Sequence, residues 1–257
     1  MISLVMSYFN RLELLRHTLY RMTFSEYKKF EVIIVDDFSD LNNSLDTIHK
    51  QFPRLNIKVI KMSSVYSAKT YSNPCIPYNV GFSHASGSKI IIQNPECCHI
   101  GDVISYTADN LTDKNYLSFH CYASTQKDLP LLATNQPLSY SNGVQSYDGG
   151  CWYNHVEHRP VSYHFTTAIT RTNLSKLNGF DERFAHGKNY DDNEFVTRIN
   201  NMGLAIEYVQ YPLVVHQWHG KSMKDKKASP PTTDNKALFE VVKKENSVKA
   251  NPDKIII

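Results

Sequence analysis

The segment Phe30–Val35 constrains the fold most, because five of its six residues are apolar and Glu31 alone carries a charge. A strand with this pattern is covered on both faces, as in a parallel sheet. Similar patterns predict further strands at 2–6, 57–60 and 89–93, and helices at 12–22, 41–52 and 76–86. This alternation predicts an α/β fold with a Rossmann-like, mostly parallel sheet and helices on both faces.

Two helix ends are also predicted from local patterns. Asn10, with Glu13 three positions later, has the spacing of a capping box that would start the first helix. Gly87 is expected to end the third helix, because glycine is common just beyond a helix C-terminus.

Polar clusters follow three of the predicted strands. They are Ser7–Asn10, Asp36-Asp37 and Asn94-Pro95-Glu96. In open α/β sheets, ligands bind beyond the carboxyl ends of the strands. We therefore expect the three clusters to border one ligand site.

The periodicity weakens after residue 106, where aromatic, Ser, Asn and Gly residues dominate up to about 170. Short antiparallel strands in a smaller mixed sheet are expected there. The sequence thus divides into a ligand-binding half at 1–106, a second half at 107–220 and a basic tail at 221–257. A helix that begins at Asp191-Asp192 restores a clear apolar pattern late in the second half.

Charge and cysteine content exclude some classes of protein. The net charge of +3 comes from the tail, which has nine lysines against five acidic residues. Without a basic stripe in the body, nucleic-acid binding is not expected, whereas weak contact of the tail with a membrane surface stays open. No apolar run reaches the roughly 20 residues of a membrane span. Five cysteines without a Cys-x-x-Cys pair indicate a reducing, cytoplasmic setting.

Several polar residues could carry chemistry. Asn94 and Glu96 offer oxygen ligands that suit Mg²⁺ or Mn²⁺, and His216 or His219 could add an imidazole. Zinc held by Cys97, Cys98 and His99 is disfavoured, because three consecutive side chains cannot converge on one tetrahedral ion. The acids at 36–37 and 191–192 could equally be helix caps or favourable charges at helix N-termini.

The order and spacing of four segments resemble glycosyltransferase family 2 proteins of the GT-A fold. These segments are SLVMSYFNR, FEVIIVDDFSD, NPCIPYNVGFSHASGSKIIIQNPE and NGFDERFAHGKNYDDNEFVTRI. The last one is also similar to polypeptide N-acetylgalactosaminyltransferases and chondroitin polymerases. The resemblance implies a nucleotide-sugar donor, a divalent metal ion and a hydroxyl acceptor.

The resemblance also implies roles for individual residues. It places the nucleotide and its phosphates near Ser7, Tyr8, Asn10, Asp37, Asn79 and Asn94. It assigns the metal to Glu96, with His216 as a further ligand. It makes Asp192 the general base and Asp191 a contact of the acceptor hydroxyl. The family's arginine is replaced here by Tyr78, and its first metal carboxylate by the neutral Asn94.

The leading hypothesis is therefore a metal-dependent glycosyltransferase that uses a UDP-sugar and inverts the anomeric centre. A sugar-nucleotide or glycan-binding module without turnover is the alternative. A nucleotidylyltransferase is disfavoured, because the loop after the first strand lacks glycine. Trp152 and Tyr153 could stack on an acceptor sugar beside Asp148 or His155, although aromatic residues of this kind are more often local core.

Overall fold

The computed structural model describes residues 1–134, 136–143, 148–220 and 231–257. Nine strands and eight α-helices occur in these residues. The strands are β1 (Ile2–Tyr8), β2 (Phe30–Asp36), β3 (Ile57–Lys61), β4 (Lys89–Gln93), β5 (Cys97–Ile100), β6 (Asn115–Ala123), β7 (Cys151–Asn154), β8 (Thr166–Thr170) and β9 (Ala205–His216). The helices are α1 (Leu12–Met22), α2 (Ile48–Gln51), α3 (Cys75–Ser83), α4 (Val103–Asn110), α5 (Leu129–Ala133), α6 (Arg171–Leu177), α7 (Asp191–Asn201) and α8 (Asn235–Glu245).

All nine strands belong to one mixed sheet, in the order β3-β2-β1-β4-β8-β6-β9-β5, with β7 paired to β6. The first four strands are parallel, as the sequence predicts. β8 then runs antiparallel to both β4 and β6. Ala168 of β8 pairs with Ile91 on one side and Leu117 on the other, so the sheet continues without a break. The α/β prediction is confirmed, but the expected smaller sheet is a continuation of the main one.

Strand β2 explains why the parallel half needs two helical layers. Every residue of β2 is buried. Val32 and Ile34 belong to the core that contains Leu15 and Leu19 of α1, whereas Ile33 and Val35 belong to the core that contains Phe82 of α3. Both faces are thus covered by apolar side chains, which is the arrangement that the run at 30–35 predicts.

The predicted helix ends differ from the structure in their details. Arg11 is the N-cap residue of α1 without a side-chain cap bond, and Asn10 has a φ of 50°, so the predicted capping box is wrong. α3 ends at Ser83, before Gly87. A Cβ atom at Gly87 would lie 2.5 Å from the backbone nitrogen of Ser3, so this glycine permits close packing against β1.

The predicted helix at 41–52 is interrupted. A short 3₁₀ turn occupies Leu41–Asn43, and α2 covers Ile48–Gln51 alone. Leu41 is 94% exposed, and Ser44 has an extended backbone that separates the two pieces. The periodic apolar pattern therefore gave the wrong length for this helix.

The two predicted halves, 1–106 and 107–220, share one sheet, as halves of a single domain would. The boundary at 106 and 107 lies inside α4, and the sheet crosses it. In the tail, α8 and the C-terminus pack on the body, where Val242 and Ile256 are buried. Residues 221–230 lie outside the described residues. Among the described helices, none has the length and apolar character needed to cross a bilayer.

Candidate active site

The carboxyl ends of β1, β2 and β4 meet the start of α7 at one cleft of about 530 Å³. Six residues singled out by the sequence line it: Ser7, Asp37, Asn94, Glu96, Asp191 and Asp192. The cleft also has lining residues that the sequence did not suggest, including Arg11, Lys69, Asn73 and His164. The three carboxylates on which the hypothesis depends, those of Asp37, Glu96 and Asp192, thus share one cavity.

Asp37 is buried at one end of the cleft with two partners. The Lys69 ammonium donates to its Oδ2 at 2.8 Å, and the Tyr71 hydroxyl donates to its Oδ1 at 2.6 Å. The Lys69 side chain is 6% exposed, and its Nζ lies 4.8 Å from the centre of the Phe9 ring. This end of the cleft therefore presents a carboxylate and an ammonium side by side, next to an aromatic ring.

Glu96 forms a second group, which we call the Glu96 cluster, with His216 and His219. The Glu96 residue is 2% exposed, and its Oε1 lies 3.2 Å from Nε2 of His216 and in contact with Nη1 of Arg11. Burial alone would raise the pKa of Glu96, but the Arg11 guanidinium and the His216 imidazole hold that pKa well below its usual range. Its Oε2 is buried and has no hydrogen-bond partner among the described residues.

The spacing of the Glu96 cluster fits a metal ion. One ligand atom from each of Glu96, His216 and His219 lies within 4.8 Å of the others. Burial, together with Arg11, lowers the pKa of His219 to about 4, so this imidazole is neutral at pH 7 and can act as a ligand. A carboxylate that has one oxygen without a partner, together with two nearby imidazoles, is a suitable set of donors for a divalent transition metal.

Gln217 explains how two histidines three positions apart reach Glu96. Its fully buried side chain donates hydrogen bonds to the carbonyls of Leu14 and Glu96. Its backbone nitrogen donates to the Glu96 carbonyl as well, at 3.1 Å. Gln217 thus ties the end of β9 to α1 and β5, with His216 and His219 on either side.

Asn94 lies in the cleft but outside the Glu96 cluster. The Tyr78 hydroxyl is 3.0 Å from both Asn94 Oδ1 and the Gln93 carbonyl. Burial, with a contribution from Glu96, raises the pKa of Tyr78 well above its usual value, so its hydroxyl stays a donor. Tyr78 occupies the position of the family's arginine. The cleft therefore has an uncharged hydrogen-bond donor beside Asn94, where the family has a cation.

Three predicted nucleotide contacts do not line this cleft. Tyr8 is fully buried, and its hydroxyl donates to the Asn43 carbonyl at 2.8 Å. Asn10 pairs with Asp40 through its amide nitrogen and its amide oxygen. Asn79 is buried and holds the backbone of Phe180 through both amide atoms. Each side chain is used to join elements of the fold, and none of the three lines the cavity that contains Asp37.

Asp191 and Asp192 lie across the cleft and form, with His164, the Asp192 cluster. Asp191 is buried and accepts a hydrogen bond from Nδ2 of Asn73 at 2.7 Å. Burial and the neighbouring Asp192 raise the pKa of Asp191. The Asp192 side chain is 26% exposed, and its Oδ1 accepts from the backbone N–H of His164 at 2.9 Å and contacts Nδ1 of the same residue.

The Asp192 cluster could also hold an ion by its spacing. However, each carboxylate there already accepts a hydrogen bond at Oδ1, Asp191 from the Asn73 amide and Asp192 from the His164 backbone. The Glu96 cluster has a buried oxygen without one. The Glu96 cluster is therefore the better candidate for a metal site.

The aromatic residues expected at the acceptor wall are part of a local core. Trp152 is 6% exposed and stacks on Tyr140, with ring centroids 5.5 Å apart. Its ring also contacts Tyr122 and His155. Trp152 is therefore not available to stack on a sugar, whereas the half-buried Tyr153 packs beside His216 at 5.0 Å.

Residues 3–131, half of the chain, match the family model described as Glycosyl transferase family 2. The chain belongs to this family. The family 2 match contains Asp37, Lys69 and Glu96, but it ends before His164 and Asp192. No curated protein sequence matches the chain.

Solved structures agree with a GT-A fold. S. aureus TarS 1–349 in complex with UDP-GlcNAc is 13% identical with a TM-score of 0.65, over 94% of this chain and 65% of that one. The mannosyltransferase PcManGT from Pyrobaculum calidifontis, solved with GDP-Man and Mn²⁺, is 15% identical with a TM-score of 0.52, over 88% and 58%. The catalytic domain of Drosophila beta1,4galactosyltransferase 7 is 14% identical with a TM-score of 0.54, over 99% and 82%.

The present chain is shorter than some of these proteins. It spans less than two thirds of the TarS 1–349 and PcManGT chains, and 36% of a longer TarS chain. At such low identity the likeness shows the fold, and the predicted GT-A fold is confirmed.

Proposed function

We propose that this family 2 protein transfers a sugar from a nucleoside diphosphate to a hydroxyl group of an acceptor. The observation that carries the proposal is the single cleft with Glu96 on one side and Asp192 on the other. His216 and His219 lie within ligand distance of Glu96 but do not line this cavity themselves. One side can neutralise the diphosphate of the leaving nucleotide, and the other can accept a proton from the attacking hydroxyl.

The donor that best fits the cleft is a UDP-sugar. Asp37 accepts hydrogen bonds and Lys69 donates them, and the two groups are 2.8 Å apart. Uracil presents an N–H next to a carbonyl oxygen along one edge, which matches this pair. The Phe9 ring beside Lys69 offers a face for the base. The TarS structures with UDP and UDP-GlcNAc support the same choice, whereas PcManGT was solved with GDP-Man.

Glu96, His216 and His219 would hold the divalent metal ion, and their donor set favours Mn²⁺ over Mg²⁺ because two of the three ligands are imidazoles. When bound, the ion supplies positive charge for the diphosphate leaving group. Arg11 already contacts Glu96 and is the nearest protein cation to that position. Its guanidinium can bind phosphate oxygens by paired hydrogen bonds.

Asp192 is the proposed general base. Its Oδ1 is used by His164, so its Oδ2 would take the acceptor proton. As that proton leaves, the acceptor oxygen forms a bond to the anomeric carbon, and the bond from this carbon to the phosphate oxygen breaks with its electron pair on the phosphate. Attack opposite the leaving group inverts the anomeric centre. Asp191 would contact the acceptor hydroxyl, although its Oδ1 is already bound by Asn73.

A binding module without turnover is the second candidate, and one observation favours it. Glu96 is paired with Arg11, and Asn94 is neutral, so the cleft can balance its charges without a metal ion. Such a module would bind a sugar nucleotide and release no product.

Calorimetric titration of the purified chain with UDP, CDP and GDP, with Mn²⁺ and with a chelator, tests the proposal. We expect UDP to bind most tightly and to lose affinity when the metal is chelated. Release of UDP from a panel of UDP-sugars, with and without simple glycoside acceptors, then separates the two candidates. Tight binding without any release would favour the binding module, and equal affinity for the three nucleotides would contradict the assignment of the base site.

We also propose a reducing, cytoplasmic setting, because all five cysteines are free and buried. In the described part of the 221–257 segment, α8 and Ile256 pack against the rest of the chain. Contact of its lysines with an anionic membrane surface stays a prediction.

A further inference from the structure

We propose that His164 is a positioning residue that holds one carboxylate oxygen of Asp192 and leaves the other for the acceptor hydroxyl. The inference rests on the proposed sugar transfer, because it assigns His164 a role in that reaction. His164 precedes β8 and lies outside the residues matched by the family model. Neither its spacing nor its neighbours in the sequence suggested a role at the site.

Two separate atoms of His164 approach the same oxygen. The backbone N–H donates to Oδ1 of Asp192 at 2.9 Å, and the ring Nδ1 contacts that oxygen as well. A carboxylate held at one oxygen by two groups loses its freedom to rotate. Since proton transfer requires the base to lie within hydrogen-bond reach of the acceptor, a fixed Asp192 is better placed than a mobile one.

The imidazole ring of His164 is itself fixed. It is packed edge-on against Tyr78, with centroids 5.1 Å apart, and against Phe180, with centroids 4.9 Å apart. Its side chain is 7% exposed. Two aromatic rings thus determine the direction of Nδ1, and through it the direction of the Asp192 carboxylate.

Charge gives His164 a second effect on the site. The titratable groups that face it are Asp192 and Asp191 from α7 and the hydroxyl of Tyr78 from α3, with Tyr163 next to it in the chain. Burial alone would lower the pKa of His164, but the two carboxylates raise it above its usual value. Below that raised pKa, the imidazolium offsets the negative charge of the two adjacent carboxylates.

The first test does not depend on activity. The C–H resonances of the histidine rings are followed by NMR as a function of pH, and His164 is identified by its loss in His164→Asn. In the wild-type chain, the midpoint of His164 should lie above 6.5, which is about the usual histidine value. In Asp192→Asn the midpoint of His164 should fall below 6.5. The loss of the Asp192 charge removes much of the effect that raises the pKa of His164, and burial, which lowers it, then dominates. An unchanged midpoint would overturn the proposal.

The second test uses two substitutions that separate the donor from the charge. His164→Asn keeps an N–H near the position of Nδ1 but cannot be charged, whereas His164→Phe keeps a ring between Tyr78 and Phe180 without a donor. We expect His164→Phe to lower kcat by roughly 10- to 100-fold, the usual cost of losing an orienting partner, with KM for the donor little changed. His164→Asn should retain more of kcat and should move the acidic limb of the kcat/KM profile to higher pH.

His120→Asn is the matched control. His120 is also buried, and its Nε2 accepts the backbone N–H of Val156 at 3.1 Å, outside the cleft. This variant should leave the pH profile unchanged. If His164→Phe and His120→Asn lost activity equally, or if both His164 variants simply lowered the melting temperature with normal kcat in the folded fraction, His164 would be structural and the proposal would fail.

The two tests also separate this proposal from the proposed function. A chain that releases no UDP from any donor, yet shows the fall of the His164 midpoint in Asp192→Asn, would contradict sugar transfer and leave the coupled pair established. A chain with full transfer activity and no coupling would support sugar transfer and overturn the role of His164.

Discussion

The Glu96 cluster and the Asp192 cluster contain the same types of side chain, one carboxylate with two imidazoles in the first and two carboxylates with one imidazole in the second, but their surroundings differ. Glu96 is 2% exposed, lies next to the guanidinium of Arg11 and has a buried oxygen without a partner. The Asp192 side chain is 26% exposed and accepts from a backbone N–H. A buried carboxylate with one oxygen that has no hydrogen-bond partner suits a metal, and a carboxylate at the cleft wall suits proton transfer.

The charge of the imidazoles also differs between the two clusters. In the Glu96 cluster, burial and Arg11 lower the pKa of His219 to about 4, so a neutral ring is available as a ligand. In the Asp192 cluster, two carboxylates raise the pKa of His164, which favours the charged ring that cannot bind a metal. Neighbouring charges, more than residue type, therefore decide what each cluster can do.

The substitution Asp192→Asn should have the largest effect. It keeps an oxygen that can accept from the His164 backbone but removes the basic carboxylate, so transfer should fall on the order of 10²- to 10⁴-fold. Affinity for UDP with Mn²⁺ should stay within about twofold, because the proposed base site at Asp37 is at the other end of the cleft. Initial rates of UDP release and calorimetry measure the two quantities.

The control for this substitution is Asp109→Asn, which changes an exposed carboxylate on α4. It should retain the rate of the wild-type chain. If Asp192→Asn also retained that rate, Asp192 would not be the base and the contrast between the two clusters would be lost.

Substitution of Glu96 by Gln should have the next largest effect, and on binding rather than on proton transfer. Gln keeps the shape of the side chain but loses the charge that pairs with Arg11 and would bind the metal. We expect the gain in UDP affinity that Mn²⁺ provides to fall on the order of 100-fold. UDP titrations with Mn²⁺ and with a chelator measure that gain directly.

Glu240→Gln, at an exposed position of α8, is the control for Glu96→Gln. If Mn²⁺ increased the UDP affinity of Glu96→Gln as much as that of the wild-type chain, Glu96 would not be a metal ligand. That result would also favour the alternative in which Arg11 serves as the permanent cation of the cleft.

Sequence patterns predicted the parts of this site that follow from strand periodicity. Asp37 and Glu96 were predicted near one mouth because each follows a predicted strand, and parallel strands end at the same edge of a sheet. The same argument does not tell which of Ser7 and Tyr8 faces the ligand. Successive side chains alternate between the two faces, and in the structure Ser7 lines the cleft while Tyr8 is buried beneath it.

The partners of the carboxylates were beyond the reach of sequence patterns. Lys69 lies 32 positions from Asp37, Arg11 lies 85 positions from Glu96, and the His164 backbone lies 28 positions from Asp192. None of these three residues lies within a regular strand or helix, so periodicity carries no signal for them. The charge balance of the site, and with it the chemistry, depends on these long-range contacts.

The choice of metal ion should have the smallest effect on UDP affinity. It tests whether the imidazoles of the Glu96 cluster, unlike that of the Asp192 cluster, bind a metal. Because two of the three ligands in the Glu96 cluster are imidazoles, Mn²⁺ should support tighter UDP binding than Mg²⁺, by roughly tenfold. His219→Asp replaces one imidazole by a carboxylate, which Mg²⁺ prefers, and should narrow that ratio. His84→Asp, at an exposed position after α3, should leave it unchanged. Equal affinity with the two ions in the wild-type chain would mean that the imidazoles do not contact the metal, and Glu96 would then be the sole protein ligand that the cluster contributes.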